Sequence, residues 1–291
     1  MAKFAYFEPE DLPQALDLLR EHGDEARVIA GGQSLLILIR QGLVRPAVLI
    51  SPHRIRALRE IKIEGGELVL GAMVTQREIA SDSRIIRGLA ALAQAASKVG
   101  SVHVQNLGTV GGNLSHAEPN GDSAPALISL GASVTAASSG GQRQIPMETF
   151  FRGPFENVLE SAEMLTHVRV PLPADGAWSL YLKHAMRAVD RATVGIGVQL
   201  RIDAGGVCSD VHIGLCGAAP QPFRATKVES LLRGERISEP LLDAVGAALA
   251  SMCDPFSDSH GPADYKRKMA LVLAKRALRQ AASAARYARE L

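Results

Sequence analysis

Residues 108–125, Gly-Thr-Val-Gly-Gly-Asn-Leu-Ser-His-Ala-Glu-Pro-Asn-Gly-Asp-Ser-Ala-Pro, combine paired glycines with short hydroxyl and amide side chains. Neither Lys nor Arg occurs between positions 99 and 142. Gly111 and Gly112 let a ligand approach the backbone with no Cβ in the way. Successive N–H groups in such a turn form a concave nest for an anion, and Thr109, Asn113 and Ser115 add short donors. A diphosphate bound here is held by dipoles rather than by salt bridges. The stretch reads as an ordered loop, too polar and too rich in Gly and Pro for a helix.

One Gly-Gly pair is an ordinary turn signal. A second stretch of the same chemistry, Ala30-Gly31-Gly32-Gln33-Ser34, follows the apolar run Val28-Ile29-Ala30 and precedes Leu35–Ile39. Strand, glycine turn and Ser-led helix start together aim backbone N–H groups at an anion. Two such turns in one chain suggest a single diphosphate ligand clamped between them. Other chemistry is poorly supplied. His103 and His116 are thirteen residues apart with no third metal ligand beside them. Glu118 and Asp122 are assigned no proton-transfer role, and no nucleophile–base arrangement stands out. The G-x-G-x-x-G dinucleotide fingerprint is missing.

Ala-Gly-Gly-Gln-Ser followed about eighty residues later by Asn-x-Gly-Thr-Val-Gly-Gly-Asn resembles the FAD-binding medium subunit of the molybdenum hydroxylases, the xanthine dehydrogenase and aerobic carbon monoxide dehydrogenase family. The resemblance implies an α+β chain with a two-subdomain FAD-binding fold of the vanillyl-alcohol-oxidase type. A C-terminal three-stranded sheet with a helical bundle follows, as in the CO dehydrogenase flavoprotein C-terminal domain. It implies FAD contacts at Ala30, Gly31, Gly32, Gln33, Ser34 and Leu35 and, opposite them, at Thr109, Gly111, Gly112 and Asn113. Asp122 matches an acidic residue on the ribityl chain, and Tyr181 an aromatic against the flavin ring. A turn-forming Asp and a core-packing Tyr are the alternatives at those two positions.

By the same resemblance the chain is an electron-transfer subunit. It is expected to pass electrons from [2Fe-2S] clusters on a small partner to an external acceptor, with the molybdopterin cofactor on a large partner. A dimer of heterotrimers is implied. A stand-alone FAD-dependent oxidase of the same fold, or a flavin-free scaffold subunit, is the alternative. Three departures from the family pattern touch the pocket: Gln33 where relatives often carry His, Gln105 in place of Arg, and no Pro within 36–40.

The elements that position these residues are legible as patterns. Residues 11–22 place Leu12, Ala15, Leu16 and Leu19 on one helical face, with Pro13 in the first turn and Gly23 at the end. A strand at 27–30, a helix through 34–41 and a strand at 47–51 make a β-α-β unit. Residues 58–72 read as a hairpin around Gly65-Gly66, with helices at 75–81 and 84–98 after it. Strands are expected at 132–137 and 164–171, then at 178–184, 193–203 and 207–216. Helices are expected at 224–233, 239–252 and 263–289, the last with a solvated Lys- and Arg-rich face. The Pro-rich tract before Asp175-Gly176 marks a boundary, giving units at 1–55, 56–174 and 175–291.

Composition sets outer limits. The chain has 291 residues, of which 47% are apolar, enough for a real core. Its net charge of +2 is spread along the chain, and aromatics are only 4%, which argues against nucleic acid as a partner. Cys208, Cys216 and Cys253 contain no Cys-x-x-Cys, too few and too scattered for an iron–sulfur cluster of the chain's own. The sparse odd count fits a reducing compartment. No apolar run is long enough to span a bilayer, and the N-terminus lacks an apolar signal core. A cytoplasmic protein is expected.

Overall fold

The computed structural model describes residues 4–290, with side chains through Ala285; Met1–Lys3 of the N-terminal stretch lie outside the described residues. The first unit runs β1 (Ala5–Phe7), α1 (Leu12–His22), β2 (Ala26–Val28), α2 (Leu35–Arg40) and β3 (Val48–Ile50). Asp11 caps α1 by accepting the Gln14 N–H, and Gly23 ends it. The buried face of α1, Ala15, Leu16 and Leu19, packs on a parallel sheet ordered β1-β3-β2. β2 is therefore an edge strand. Helix α2 is unusual: Leu35, Leu36, Leu38 and Ile39 are half-buried, Ile37 is exposed, and none is fully enclosed.

The second unit opens with β4 (Ile61–Glu64) and β5 (Glu67–Gly71), paired around Gly65-Gly66 as the sequence indicates. Six helices follow: α3 (Gln76–Ser81), α4 (Ser83–Gly88), α5 (Ala90–Ser97), α6 (Val102–Leu107), α7 (Val110–His116) and α8 (Ser123–Ser129). The single helix expected over 84–98 is broken at Leu89, whose ψ of 52° leaves the helical region. The loop expected at 108–125 is also corrected, because it holds α7 and α8. Thr109 caps α7 through the Gly112 N–H. Pro125 falls in the first turn of α8, where a missing N–H costs nothing. Tertiary burial overrides the weak helix propensity of glycine here: Val110, Leu114, Ala126, Leu127 and Ile128 all join one core.

That core is closed by β6 (Ser133–Ser138), β7 (Gly141–Pro146), β8 (Phe151–Gly153), β9 (Glu156–Asn157) and β10 (Met164–Pro171). The main sheet is ordered β4-β5-β10-β6-β7, and β8 and β9 form a separate hairpin.

The third unit contains β11 (Ala177–His184), β12 (Val194–Ile202), β13 (Cys208–Cys216), β14 (Phe223–Arg224), α9 (Thr226–Leu232), α10 (Glu239–Ala250) and α11 (Ala263–Glu290). The expected three-stranded sheet gains a fourth, two-residue strand, because Phe223 and Arg224 pair with Leu215 and Gly214. Helix α11 is amphipathic. Ala270, Leu273, Ala274, Ala277, Leu278 and Ala281 are buried against the sheet, while Lys268 and Arg276 face outward. No described helix is long and apolar enough to cross a membrane.

Candidate functional site

The two glycine stretches meet in space. Gly31 sits so close to the end of α6 that a Cβ would collide with the Leu107 carbonyl, and a Cβ on Gly112 would lie 3.4 Å from that of Ala30. Glycine is required at 31 by this close approach and at 32 by a φ of +69°. Only a backbone with no side chain in the way brings the β2–α2 turn onto the start of α7.

The donors are distributed unevenly between the stretches. Ile29 donates to Ile50, and the next intrachain backbone donor is Leu36, to Gly32. The N–H groups from Ala30 through Leu35 donate to no acceptor among the described residues, and all six residues are half-buried. Ser34 stands at the N-cap of α2 without capping it, and Gln33 donates from its amide to the Gly31 carbonyl at 3.2 Å. This run of oriented, uncommitted N–H groups suits a diphosphate.

At 109–113 the expected nest of free donors is not found. Val110 donates to Val74, Gly111 to Ala72, Gly112 to Thr109 Oγ1 and Asn113 to the Thr109 carbonyl. Thr109 and Gly111 are buried, Gly111 against Ala72. They hold α7 against the sheet. Gly112 is exposed and Asn113 half-buried, and the Asn113 carboxamide has no hydrogen-bond partner among the described residues. Of residues 109–113, Gly112 and Asn113 are the accessible ones.

Asp122 and Tyr181 lie deeper than the resemblance implied. Asp122 is 4% exposed and Tyr181 1%. The Tyr181 hydroxyl donates to Asp122 Oδ1 at 2.6 Å, and Lys183 Nζ pairs with Oδ2 at 2.9 Å while also donating to the Lys98 carbonyl. The Lys98 ammonium lies 5.8 Å from the Tyr181 ring centroid. Burial pushes the Asp122 carboxyl above its usual range, partly offset by Lys183 and then by the tyrosine hydroxyl. Burial also holds the Tyr181 phenol well above its ordinary value, with the Asp122 charge adding to it. The Tyr181 ring is enclosed, so it offers no face to a flavin in this conformation.

Lys183 was not singled out by sequence reasoning. The signal was present: in a strand, positions 181 and 183 share one face, so a Tyr181 that meets Asp122 at the start of α8 brings Lys183 with it. Phe155 and Arg191 were also missed. Phe155 packs against His116 with ring centroids 5.2 Å apart, and Arg191 Nε lies 3.1 Å from Glu118 Oε2. Burial raises the Glu118 carboxyl, opposed by Arg191, and burial keeps the His116 imidazole below its usual value. No group of three or more side chains that could hold a metal ion occurs among the described residues, at His103 and His116 or elsewhere.

Comparison with known proteins gives the site its context. Residues 2–173 match the family of the FAD binding domain in molybdopterin dehydrogenase, and residues 179–281 match the CO dehydrogenase flavoprotein C-terminal domain. The carbon monoxide dehydrogenase medium chain of Hydrogenophaga pseudoflava is 34% identical, over 96% of this chain and 97% of its own length. The corresponding medium chain of Afipia carboxidovorans is 31% identical over 97% and 98%. The solved carbon monoxide dehydrogenase from Hydrogenophaga pseudoflava, which lacks the Mo-pyranopterin moiety of the molybdenum cofactor, superposes with a TM-score of 0.94. That match covers 97% of this chain and 98% of the other at 34% identity.

Proposed function

The chain belongs to the family of FAD-binding subunits of the molybdopterin dehydrogenases, and from that premise we propose that it is the electron-transfer subunit of a heteromeric molybdenum hydroxylase. The observation that carries the reading is the uncommitted N–H run from Ala30 to Leu35, folded against α7. These groups fit the diphosphate of FAD, with Gly112 open beside them and the Asn113 amide free to bond the cofactor. Thr109 and Gly111 serve by fixing the first turn of α7 against β5 and the residues after it. Asp122, Tyr181 and Lys183 hold the start of α8, and through it the far end of the α7–α8 connection.

FAD held by the turn at Ala30–Leu35, with Gly112 and Asn113 beside it, would supply the redox chemistry that links iron–sulfur clusters on a small partner to an external acceptor. The chain's own thiols suit no such role. Cys208, Cys216 and Cys253 are buried and free, and burial pushes Cys208 and Cys253 up to about 11, far from thiolate at neutral pH. Substrate oxidation belongs, on this reading, to a molybdenum centre on a large partner. Affinity purification from the native host tests it. Flavin, iron and molybdenum are expected in the eluate with one larger and one smaller chain. Flavin on a solitary chain that turns over substrate would make it a stand-alone oxidase instead.

A further inference from the structure

Alternate residues of the main sheet, Leu68 and Leu70, Val134 and Ala136, Val168 and Val170, enter the helical core. The opposite face carries a pocket of about 140 Å³. That is several times the roughly 30 Å³ share of one water molecule and well below a drug-sized site, so it suits a ligand of a few non-hydrogen atoms. Thr135 of β6 and His167 of β10 are cross-strand partners within it, and Arg169 follows two positions along β10 on the same face. On its other side His167 faces Gly71 of β5, where a Cβ would collide with the Leu58 backbone. Main chain therefore closes that flank.

The polar groups inside are left short of partners. Two of the five buried side-chain polar atoms that have no hydrogen-bond partner among the described residues, Thr135 Oγ1 and Arg169 Nε, belong to residues lining this pocket. Thr135 is only 6% exposed, and a buried hydroxyl or guanidinium N–H without a partner is costly. The third group, His167, has a defined tautomer. The buried Thr166 hydroxyl donates to the Thr135 carbonyl at 3.2 Å, so its oxygen accepts from His167 Nδ1 at 3.1 Å. Nδ1 thus carries the hydrogen, and Nε2 of the neutral ring is an acceptor. Burial, with Arg169 and Lys62, keeps this imidazole below its ordinary value against the opposing pull of Glu64 and Glu60, which favours the neutral ring. The β10–β6 register shifts between Leu165 and His167, and a bulge of this kind re-aims the side chains beside it.

The rim decides the charge of the ligand. Lys62 pairs with Glu60 at 2.5 Å, and the Arg169 terminal nitrogens pair with Glu67 at 3.0 Å and Glu64 at 3.4 Å. Two cations and three carboxylates offer an anion no net attraction, and the unpaired Arg169 N–H repels a cation. We propose that this pocket is a second ligand site, which takes a small neutral molecule carrying a carbonyl beside an N–H, the edge of an amide, a urea or a lactam. The carbonyl accepts from Arg169 Nε–H and the Thr135 hydroxyl, and the ligand N–H donates to His167 Nε2. Val69 and Ala57, also in the lining, supply the apolar contact, and the exposed Gln142 carboxamide stands at the rim. None of residues 30–35, 112 or 113 lines the pocket, so the site is independent of the flavin reading and stands or falls apart from it.

Pyrrolidinone, a small lactam, is the probe, and N-methylpyrrolidinone, which keeps the carbonyl and lacks the N–H, is its control. Each is titrated at neutral pH into the full-length chain labelled with nitrogen-15 at histidine, and the imidazole nitrogens are followed by NMR. The His167 signals are those missing from the spectrum of His167→Gln. Pyrrolidinone is expected to shift His167 Nε2 saturably, and the N-methyl control to bind about tenfold more weakly. Thr135→Val removes the unpartnered hydroxyl at nearly constant shape. It is expected to weaken pyrrolidinone about fivefold, with a urea midpoint no lower than that of the wild type. The proposal is overturned by a wild-type His167 signal that shows no saturable shift, which would make the pocket a hydration site only. Equal affinity for the two probes, or unchanged affinity in Thr135→Val, overturns it as well.

Discussion

Lys183 and Asp122 form an ion pair with both side chains 5% exposed, which makes the pair sensitive to the loss of either partner. Burying two charges is repaid only when each lone pair and proton finds a partner. Here Tyr181 takes one carboxylate oxygen, Lys183 takes the other, and the Lys98 carbonyl takes a further ammonium proton. Lys183→Met leaves the carboxylate buried without a counter-charge, and a stability loss of about 3–5 kcal/mol is expected in urea titrations. Adding Asp122→Asn to that variant is expected to restore part of the loss. Equal stability of wild type and Lys183→Met would show that the pair does not hold the start of α8. Asp122 and Tyr181 were visible in the sequence as residues of interest, but their roles were not. A sequence shows that Tyr181 and Lys183 share a face; it does not show that the face meets the N-terminus of a helix some sixty residues earlier.

At the scale of elements, α8 is the joint between the flavin-binding unit and the C-terminal sheet. It rests on Gly197 of β12 and Gly214 of β13, which are cross-strand partners. A Cβ on either would collide with the carbonyl of Pro125 or the atoms beside it. Asn120, just ahead of α8, donates to the Ala192 carbonyl at 2.6 Å and ties the approach to α8 to the same sheet. Gly214→Ala is expected to cost about 1–3 kcal/mol by overpacking. Limited proteolysis in the 172–176 segment is expected to accelerate as the two units separate; unchanged cleavage and stability would show that the slot yields freely. The strands and the long helices were legible because their apolar spacing is strong: α1, the β4–β5 hairpin and α11 fall where the pattern puts them. Helices α7 and α8 were not legible. Their local composition favours a loop, and only their burial against β10, β12 and β13 makes them helices.

Three histidines, distributed over the whole molecule, contribute to its response to acid. His116 lies on α7, His167 on β10 and His212 on β13. Burial is the first cause that lowers each from the ordinary value of 6.5. Arg191 adds to it at His116, Arg169 and Lys62 at His167, and Arg224 and Arg233 at His212. The carboxylates near His167 and His212, Glu64, Glu60, Asp210 and Glu229, oppose the shift without reversing it. Each histidine therefore binds its proton more readily in the unfolded chain than in the folded one, so stability rises with pH wherever these groups titrate. Their contribution is complete above about pH 6.5 and is lost as pH falls through the lower folded values. Glu118 and Asp122, raised by burial, act in the opposite sense, because the folded chain holds their protons more firmly. A single stability curve mixes the two effects, whereas a comparison of two curves separates them. Urea midpoints between pH 8 and pH 5 are expected to fall below pH 6.5 in the wild type. The decline is expected to be shallower in the triple variant His116→Gln, His167→Gln, His212→Gln. Parallel curves for the two proteins would mean that the histidines are as free to protonate in the folded chain as in the unfolded one, and that their burial at α7, β10 and β13 adds nothing to the acid response.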